Sequence, residues 1–253
     1  MNRLKGKTAI VTGGNSGVGE ATALLFAREG ANVVICGRRK DALDAVAAKV
    51  IGVDDSRILA VQADISVDDD CKNLAKAAVD RFGKIDILVN NAGVLDTGIK
   101  AVDKFLDEDV QRVIGINQIG TMQCIRAVMP FLHSGASIVN VASVAGVNGG
   151  GGAVYASTKA AIIGLTKHTA MLLADKYIRC NAVCPGNIIT PMTANMKPAD
   201  IDTSMMVAMR KHGDLSLKSS QPRDIANILL FLASDESAAL TGQVLVSDFG
   251  VNL

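Results

Sequence analysis

The chain has 253 residues, 49% of them hydrophobic, with 24 Gly and 5 Pro. That is enough apolar material for a sizeable core, and it excludes a disordered chain. A formal net charge of +1 gives no general attraction to nucleic acid or to an anionic membrane surface.

Short β-branched runs alternate with amphipathic segments. Residues 8–12 read as a strand, 18–28 as a helix and 32–36 as a strand. A helix over 41–50 and a strand over 58–61 follow. The next helix spans 67–81 with Ser66 as its cap, and the fourth strand spans 85–89. A longer helical stretch is predicted over 102–132, then strands at 137–142, 178–183 and 243–246. Helices over 153–174 and 222–232 separate these last strands. Near-continuously apolar strands between helices predict an α/β fold, a doubly wound parallel sheet of the Rossmann kind covered on both faces. There is no internal repeat or linker, so residues 1–253 are expected to form one domain.

No apolar run approaches the roughly 18 residues of a bilayer span. Residues 1–7 lead directly into the first strand, which leaves no room for a signal peptide. Cys36, Cys71, Cys124, Cys180 and Cys184 match neither a disulfide framework nor zinc spacing. Free buried thiols in a reducing cytoplasm are the expectation, with no metal site. His133, His168 and His212 likewise show no ligand spacing and are read as incidental.

The first strand ends in Thr12-Gly13-Gly14-Asn15-Ser16-Gly17-Val18-Gly19, where a helix begins. Glycines at that junction let backbone approach a pyrophosphate, whose charge suits a helix N-terminus. The position between strand and helix makes this a dinucleotide turn rather than a chance glycine run. After the second strand the chain reads Gly37-Arg38-Arg39-Lys40, with no carboxylate before Asp41. An NAD site usually places an acid there for the ribose hydroxyls. Arg38 and Arg39 suit a 2′-phosphate instead, so NADP is favoured over NAD, unless the cations only solvate a loop.

Further motifs follow in order: Asn90-Asn91-Ala92-Gly93 after the fourth strand, Asn117 in Ile116-Asn117-Gln118-Ile119-Gly120, and Ser143 after the fifth strand. Tyr155-Ala156-Ser157-Thr158-Lys159 and Pro185-Gly186 complete the set. With T-G-x-x-x-G-x-G at the start, this order resembles the short-chain dehydrogenase/reductase family over nearly the whole chain. Tyr155 and Lys159 are four residues apart on a predicted helix and so share a face. The ammonium is expected to favour the phenolate and lower a tyrosine pKa of about 10. Tyr155 would then serve as acid/base while the Ser143 hydroxyl steadies the substrate oxygen.

The resemblance also implies that Lys159 bonds the nicotinamide ribose and that Asn117 holds a water linking Lys159 to solvent. It implies that Asp64 and Ile65 contact adenine, that Asn91, Ala92 and Gly93 line the adenosine ribose side, and that Ile188 and Thr190 contact the carboxamide. The other reading of Asp64 is a turn-forming or capping role. The family's last strand often pairs subunits, implying a homodimer or homotetramer. Its Asp-Gly-Gly reads Asp248-Phe249-Gly250 here, a departure.

Two segments bear on the substrate. Gly149 to Gly152 form a tetraglycine run that either widens the pocket or is a neutral turn. Met192, Met196, Met205, Met206 and Met209 fall in a segment, about 188–217, that the resemblance places over the substrate. They either adapt to a hydrophobic substrate such as a hydroxysteroid or other cyclic ketone or alcohol, or pack a lid against the core. The alternative activity is reduction of a 3-oxoacyl thioester, with Arg112 and Arg126 receiving an acidic carrier. A non-catalytic nucleotide sensor on the same fold is the remaining reading.

Overall fold

A computed structural model of the chain describes residues 2–50, 57–196 and 198–253. Its strands are β1 (Thr8–Thr12), β2 (Asn32–Gly37), β3 (Ile58–Gln62), β4 (Ile87–Asn90), β5 (Ser137–Val141), β6 (Arg179–Pro185) and β7 (Val244–Ser247). They form one sheet in the order β3-β2-β1-β4-β5-β6-β7. Every neighbouring pair is parallel.

The α-helices are α1 (Gly17–Arg28), α2 (Lys40–Ala47), α3 (Asp68–Phe82), α4 (Asp107–Val113), α5 (Thr121–Val128), α6 (Ala145–Asn148), α7 (Ala153–Leu173), α8 (Pro191–Ala194), α9 (Thr203–His212) and α10 (Pro222–Ala233). Successive side chains of a strand point to opposite faces. Accordingly Ala9 and Val11 of β1 join a core with Phe26 of α1, Leu43 of α2 and Leu229 of α10. Ile10, between them, joins a second core with Leu74 of α3, Val128 of α5 and Leu173 of α7. Both cores exclude solvent, which explains why the strands lack polar alternation. Among the described residues no helix is long and apolar enough to cross a membrane.

The predicted strands and main helices hold in order and type, with small shifts at many of their ends and larger differences at a few places. The stretch predicted as helix over 102–132 begins only at α4, where Asp107, Glu108 and Asp109 occupy the first turn and complement the helix dipole. Between α4 and α5 lies a seven-residue π-helical segment, Ile114–Gly120. The helix predicted over 41–50 ends at Ala47, and its last predicted residues lie beyond the helix. Ser66 does not cap α3: Val67 holds the cap position, and Ser66 Oγ donates to Asp64 Oδ1 at 2.7 Å.

All five cysteines are buried and unbridged. Among the described residues no cluster of His, Cys, Asp and Glu could hold a metal. His133 is less incidental than its spacing suggests: its Nε2 lies 3.1 Å from the buried carboxylate of Asp86.

Candidate active site

The sheet order reverses between β1 and β4. The chain builds outward one way from β1 to β3 and the other way from β4 to β7. Loops leaving the carboxyl ends of β1 and β4 therefore diverge and leave a crevice between them. A cavity of about 800 Å³ occupies it.

Gly13, Asn15, Ser16, Gly17 and Val18 line one end of that cavity, with Arg38 and Arg39 beside them. The glycines there are steric requirements. A Cβ on Gly13 would stand 2.9 Å from Ala92 Cα, and one on Gly19 would overlap the carbonyl oxygen of Gly13. Gly19 itself does not line the cavity; it sits behind the turn and lets α1 pack against it. Gly19→Ala is expected to cost about 1–3 kcal/mol. Thermal melting should show the loss, and fluorescence titration should show dinucleotide binding lost with it.

Thr12, at the end of β1, braces the opposite loop, a role the sequence reading missed. Its Oγ1 accepts from the backbone N–H of both Asn91 and Ala92 at 3.0 Å. Asn91 Nδ2 returns a bond to Thr12 O at 2.9 Å. Asn91, Ala92 and Gly93 are thus held as cavity wall, with Asp64 and Ile65 on the far side of the turn. Asp64 lines the cavity and also makes the turn after β3, since its Oδ1 accepts from Ser66 N at 3.0 Å.

Ser143, Tyr155, Lys159, Pro185, Gly186, Ile188 and Thr190 line the other end. Tyr155 and Lys159 share one face of α7, with Lys159 Nζ 5.6 Å from the Tyr155 ring centre. The ammonium donates to Val141 O at 2.7 Å, at the end of β5. Lys159 is 5% exposed, and this burial pushes its pKa down to about 8. Burial also raises the Tyr155 pKa, a rise partly offset by a hydrogen bond with Ser143. The sequence-based expectation of a lowered phenol is therefore corrected. Both groups lose solvation together, the hydrogen bond of the ammonium goes to a carbonyl, and burial is the largest influence on the phenol.

Asn117 lies within the π segment and does not line the cavity. Its side chain is fully used: Oδ1 accepts from Val94 N at 2.8 Å, while Nδ2 donates to Val94 O at 2.9 Å and to Thr158 Oγ1 at 3.2 Å. Asn117 thereby joins the wall after β4 to α7 beside Lys159. A water-holding role would fall to its backbone, and the Asn117 carbonyl already accepts from Thr121 Oγ1 at 2.7 Å.

Several described residues of the 188–217 range line the cavity. Met192, Met196, Met205 and Met209 line the cavity and Met206 does not. His212 lines it too, which its spacing in sequence did not suggest. Asp202 anchors the segment: its carboxylate caps α9 through Ser204 N at 2.8 Å and pairs with Lys104 at 3.1 Å. Its own N–H donates to Gly98 O at 2.8 Å. The Ser204 hydroxyl, then Lys104, hold the Asp202 carboxyl well below the usual range.

The tetraglycine loop serves backbone needs first. Gly149 and Gly151 have φ of +80° and +119°, and a Cβ on Gly152 would overlap the carboxylate of Asp96. All four nevertheless line the cavity. Phe249, at the departure from Asp-Gly-Gly, adopts φ +57°, a conformation that favours glycine. Gly186 packs against Asp248, where a Cβ would stand 2.7 Å from Asp248 Cβ.

Comparison with known proteins agrees with this geometry. A family model described as enoyl-(acyl carrier protein) reductase matches residues 13–252. A 3-oxoacyl-[acyl-carrier-protein] reductase of Thermotoga maritima is 37% identical, over 98% of this chain and 99% of its own. The 3beta-hydroxysteroid dehydrogenase 2 of Eggerthella lenta is 34% identical, over 98% and 95%. Among solved structures, a short-chain glucose/ribitol dehydrogenase from Brucella melitensis superposes with a TM-score of 0.87 at 33% identity, over 99% and 98% of the two chains. A levodione reductase gives 0.87 at 29%, covering 98% of each. With the parallel sheet, the glycine turn at its switch point and relatives matched end to end, the chain belongs to the short-chain dehydrogenase/reductase family of NAD(P)-dependent oxidoreductases acting on alcohol and carbonyl groups.

Proposed function

We propose that this enzyme moves a hydride between NADP(H) and the carbonyl or secondary alcohol carbon of a hydrophobic, cyclic substrate of the hydroxysteroid kind. The observation that carries the substrate class is the wall of Met192, Met196, Met205, Met209, Leu215 and Leu217 at the cavity mouth. Flexible thioethers conform to irregular apolar surfaces. Asp64, at the far end, is the one carboxylate among the described lining residues, so an apolar body would desolvate no anionic side chain beside the methionines. The hydroxysteroid dehydrogenase relatives support the same reading.

NADP(H), when bound, supplies or accepts the hydride. Tyr155 donates the proton to the substrate oxygen in reduction and takes it back in oxidation. The Ser143 hydroxyl bonds that oxygen as charge develops on it. Lys159, held by Val141 O, is the neighbouring cation that steadies the phenolate, and Asn117 keeps its helix in register with the wall after β4. Residues 1–253 act as one domain in a homodimer or homotetramer in the cytoplasm. The buried free thiols and the exposed Val246 of β7 support this.

Arg38 and Arg39 line the cavity, and among the described residues neither guanidinium has an ion-pair partner. Both are therefore available to a 2′-phosphate. Arg38→Ala with Arg39→Ala is expected to cut kcat/KM for NADPH about tenfold or more and to leave NADH use near the parent level. Parallel assays with both cofactors check this, and a strong preference of the parent for NAD overturns the phosphate reading.

The 37% identical relative favours a second reading, reduction of a 3-oxoacyl thioester. Its carrier-receiving cations are already committed: Arg112 bonds Leu95 O at 2.9 Å and Asp109, and Arg126 bonds Asp68. Turnover of an acetoacetyl thioester against a panel of steroids and cyclic ketones separates the two. A clear preference for the thioester would overturn the hydrophobic-ring assignment. A purely nucleotide-sensing role would require wild type to bind cofactor and turn over nothing on that panel.

A further inference from the structure

Helix α7 carries both Tyr155 and Lys159, yet it has no side-chain cap of its own. Gly152 holds the cap position, and no side chain on the helix's own approach satisfies the first-turn N–H groups. The acceptor comes from the loop after β4. Asp96, three residues beyond Gly93, is 5% exposed, and its Oδ2 accepts from the backbone N–H of Tyr155 at 3.3 Å. Its Oδ1 has no hydrogen-bond partner among the described residues. Both oxygens occupy the place a Cβ on residue 152 would take, so glycine at 152 is what admits the carboxylate.

The loop bearing Asp96 is itself pinned. Ala153 N donates to Lys100 O at 3.0 Å. The carboxylate of Asp109 on α4 accepts from Thr97 N at 2.6 Å and from Arg112 at 2.5 Å. A buried carboxylate on a fixed loop, aimed at an otherwise uncapped helix end, complements the N–H groups and the dipole there.

We infer that Asp96 is a positioning residue for this reaction: seated in the space left by Gly152, it holds the first turn of α7 and so sets Tyr155 against Ser143 and the substrate oxygen. The last residue of the tetraglycine run is then part of the catalytic scaffold rather than a means of widening the pocket.

The same placement gives a signature that a merely structural carboxylate would lack. Tyr155 is faced by Ser143, by Lys159 one turn along α7, by Cys184 of β6 and by Asp96; Asp96 in turn is faced by Asp109. At the alkaline pH where a phenol ionises, Asp96 carries its charge and opposes a second one on Tyr155. Removing that charge while keeping an acceptor oxygen should ease ionisation of Tyr155.

The chain has two tyrosines and no tryptophan, and Tyr177 is 77% exposed. In a Tyr177→Phe background, phenolate absorbance therefore reports Tyr155 alone. There Asp96→Asn is expected to lower the Tyr155 midpoint by about half a pH unit and to keep kcat within about tenfold. Asp96→Ala, which removes the acceptor, is expected to lower kcat about 10²-fold with little change in KM. Gly152→Ala should behave like Asp96→Ala. An unmoved midpoint in Asp96→Asn, or parental kcat in Asp96→Ala, overturns the inference. The kinetic arm rests on Tyr155 as the acid/base. The absorbance arm needs no substrate, so failure of the proposed reaction leaves it readable.

Discussion

Tyr155→Phe is expected to lower kcat by about 10²–10⁴-fold while leaving cofactor affinity near that of the parent. The change removes one oxygen from a half-buried ring and leaves the ring itself in place. The walls that would hold the dinucleotide, from Gly13 to Val18 and at Asn91 to Gly93, are braced by Thr12 and do not depend on the phenol. In the proposed reaction, what is lost is the proton delivered at the point of hydride transfer. Burial keeps the phenol protonated at neutral pH, so Tyr155 stands ready as an acid and reduction needs no prior ionisation. Oxidation of the alcohol requires the phenolate, so its rate should climb as pH rises towards the raised Tyr155 pKa. Reduction should be flat through neutrality and fall in the alkaline range. Steady-state rates in both directions across pH, with cofactor titrations on parent and variant, check this. Tyr155→Phe with parental turnover would remove Tyr155 from the proposed chemistry.

Much of the candidate site's placement was legible in the sequence because its residues sit in motifs tied to strand ends. Gly13 to Val18, Asn91 to Gly93, Ser143, and Pro185 to Ile188 follow strands whose apolar runs are unmistakable, and a parallel sheet brings those ends to one edge. The sequence was weaker where function depends on a contact between distant segments. Nothing in Val94-Leu95-Asp96 signals that its carboxylate fills the space beside Gly152, and a run of four glycines reads as slack until φ and the clash are known. The π segment around Asn117 has the composition of any helix, because one extra residue per turn leaves no mark on short-range periodicity. The phenol pKa was misjudged for a related reason. Spacing placed Lys159 beside Tyr155, but only the folded chain reveals that Val141 O takes the ammonium and that burial outweighs the pair.

That burial gives Lys159 the second large effect. Lys159→Met is expected to abolish turnover and yet to stabilise the folded chain at neutral pH. Lowering a lysine from 10.5 to about 8 means the charged form is disfavoured in the fold by about 3 kcal/mol. A methionine of similar length removes that penalty but leaves the Val141 carbonyl without its donor, which returns roughly 1–2 kcal/mol. A net gain of about 1–2 kcal/mol at pH 7 follows. Its pH dependence is fixed in sign. Below about pH 8 the lysine is charged in both folded and unfolded chains, so the penalty and the variant's advantage are full. Between about 8 and 10.5 the unfolded chain binds the extra proton, parent stability recovers with rising pH, and the advantage fades. Denaturant unfolding of parent and variant at neutral and alkaline pH measures the difference. A variant less stable than the parent at pH 7 would mean that the ammonium is not held against a solvation cost. Position 159 would then be occupied by lysine for packing rather than for the charge it brings to Tyr155.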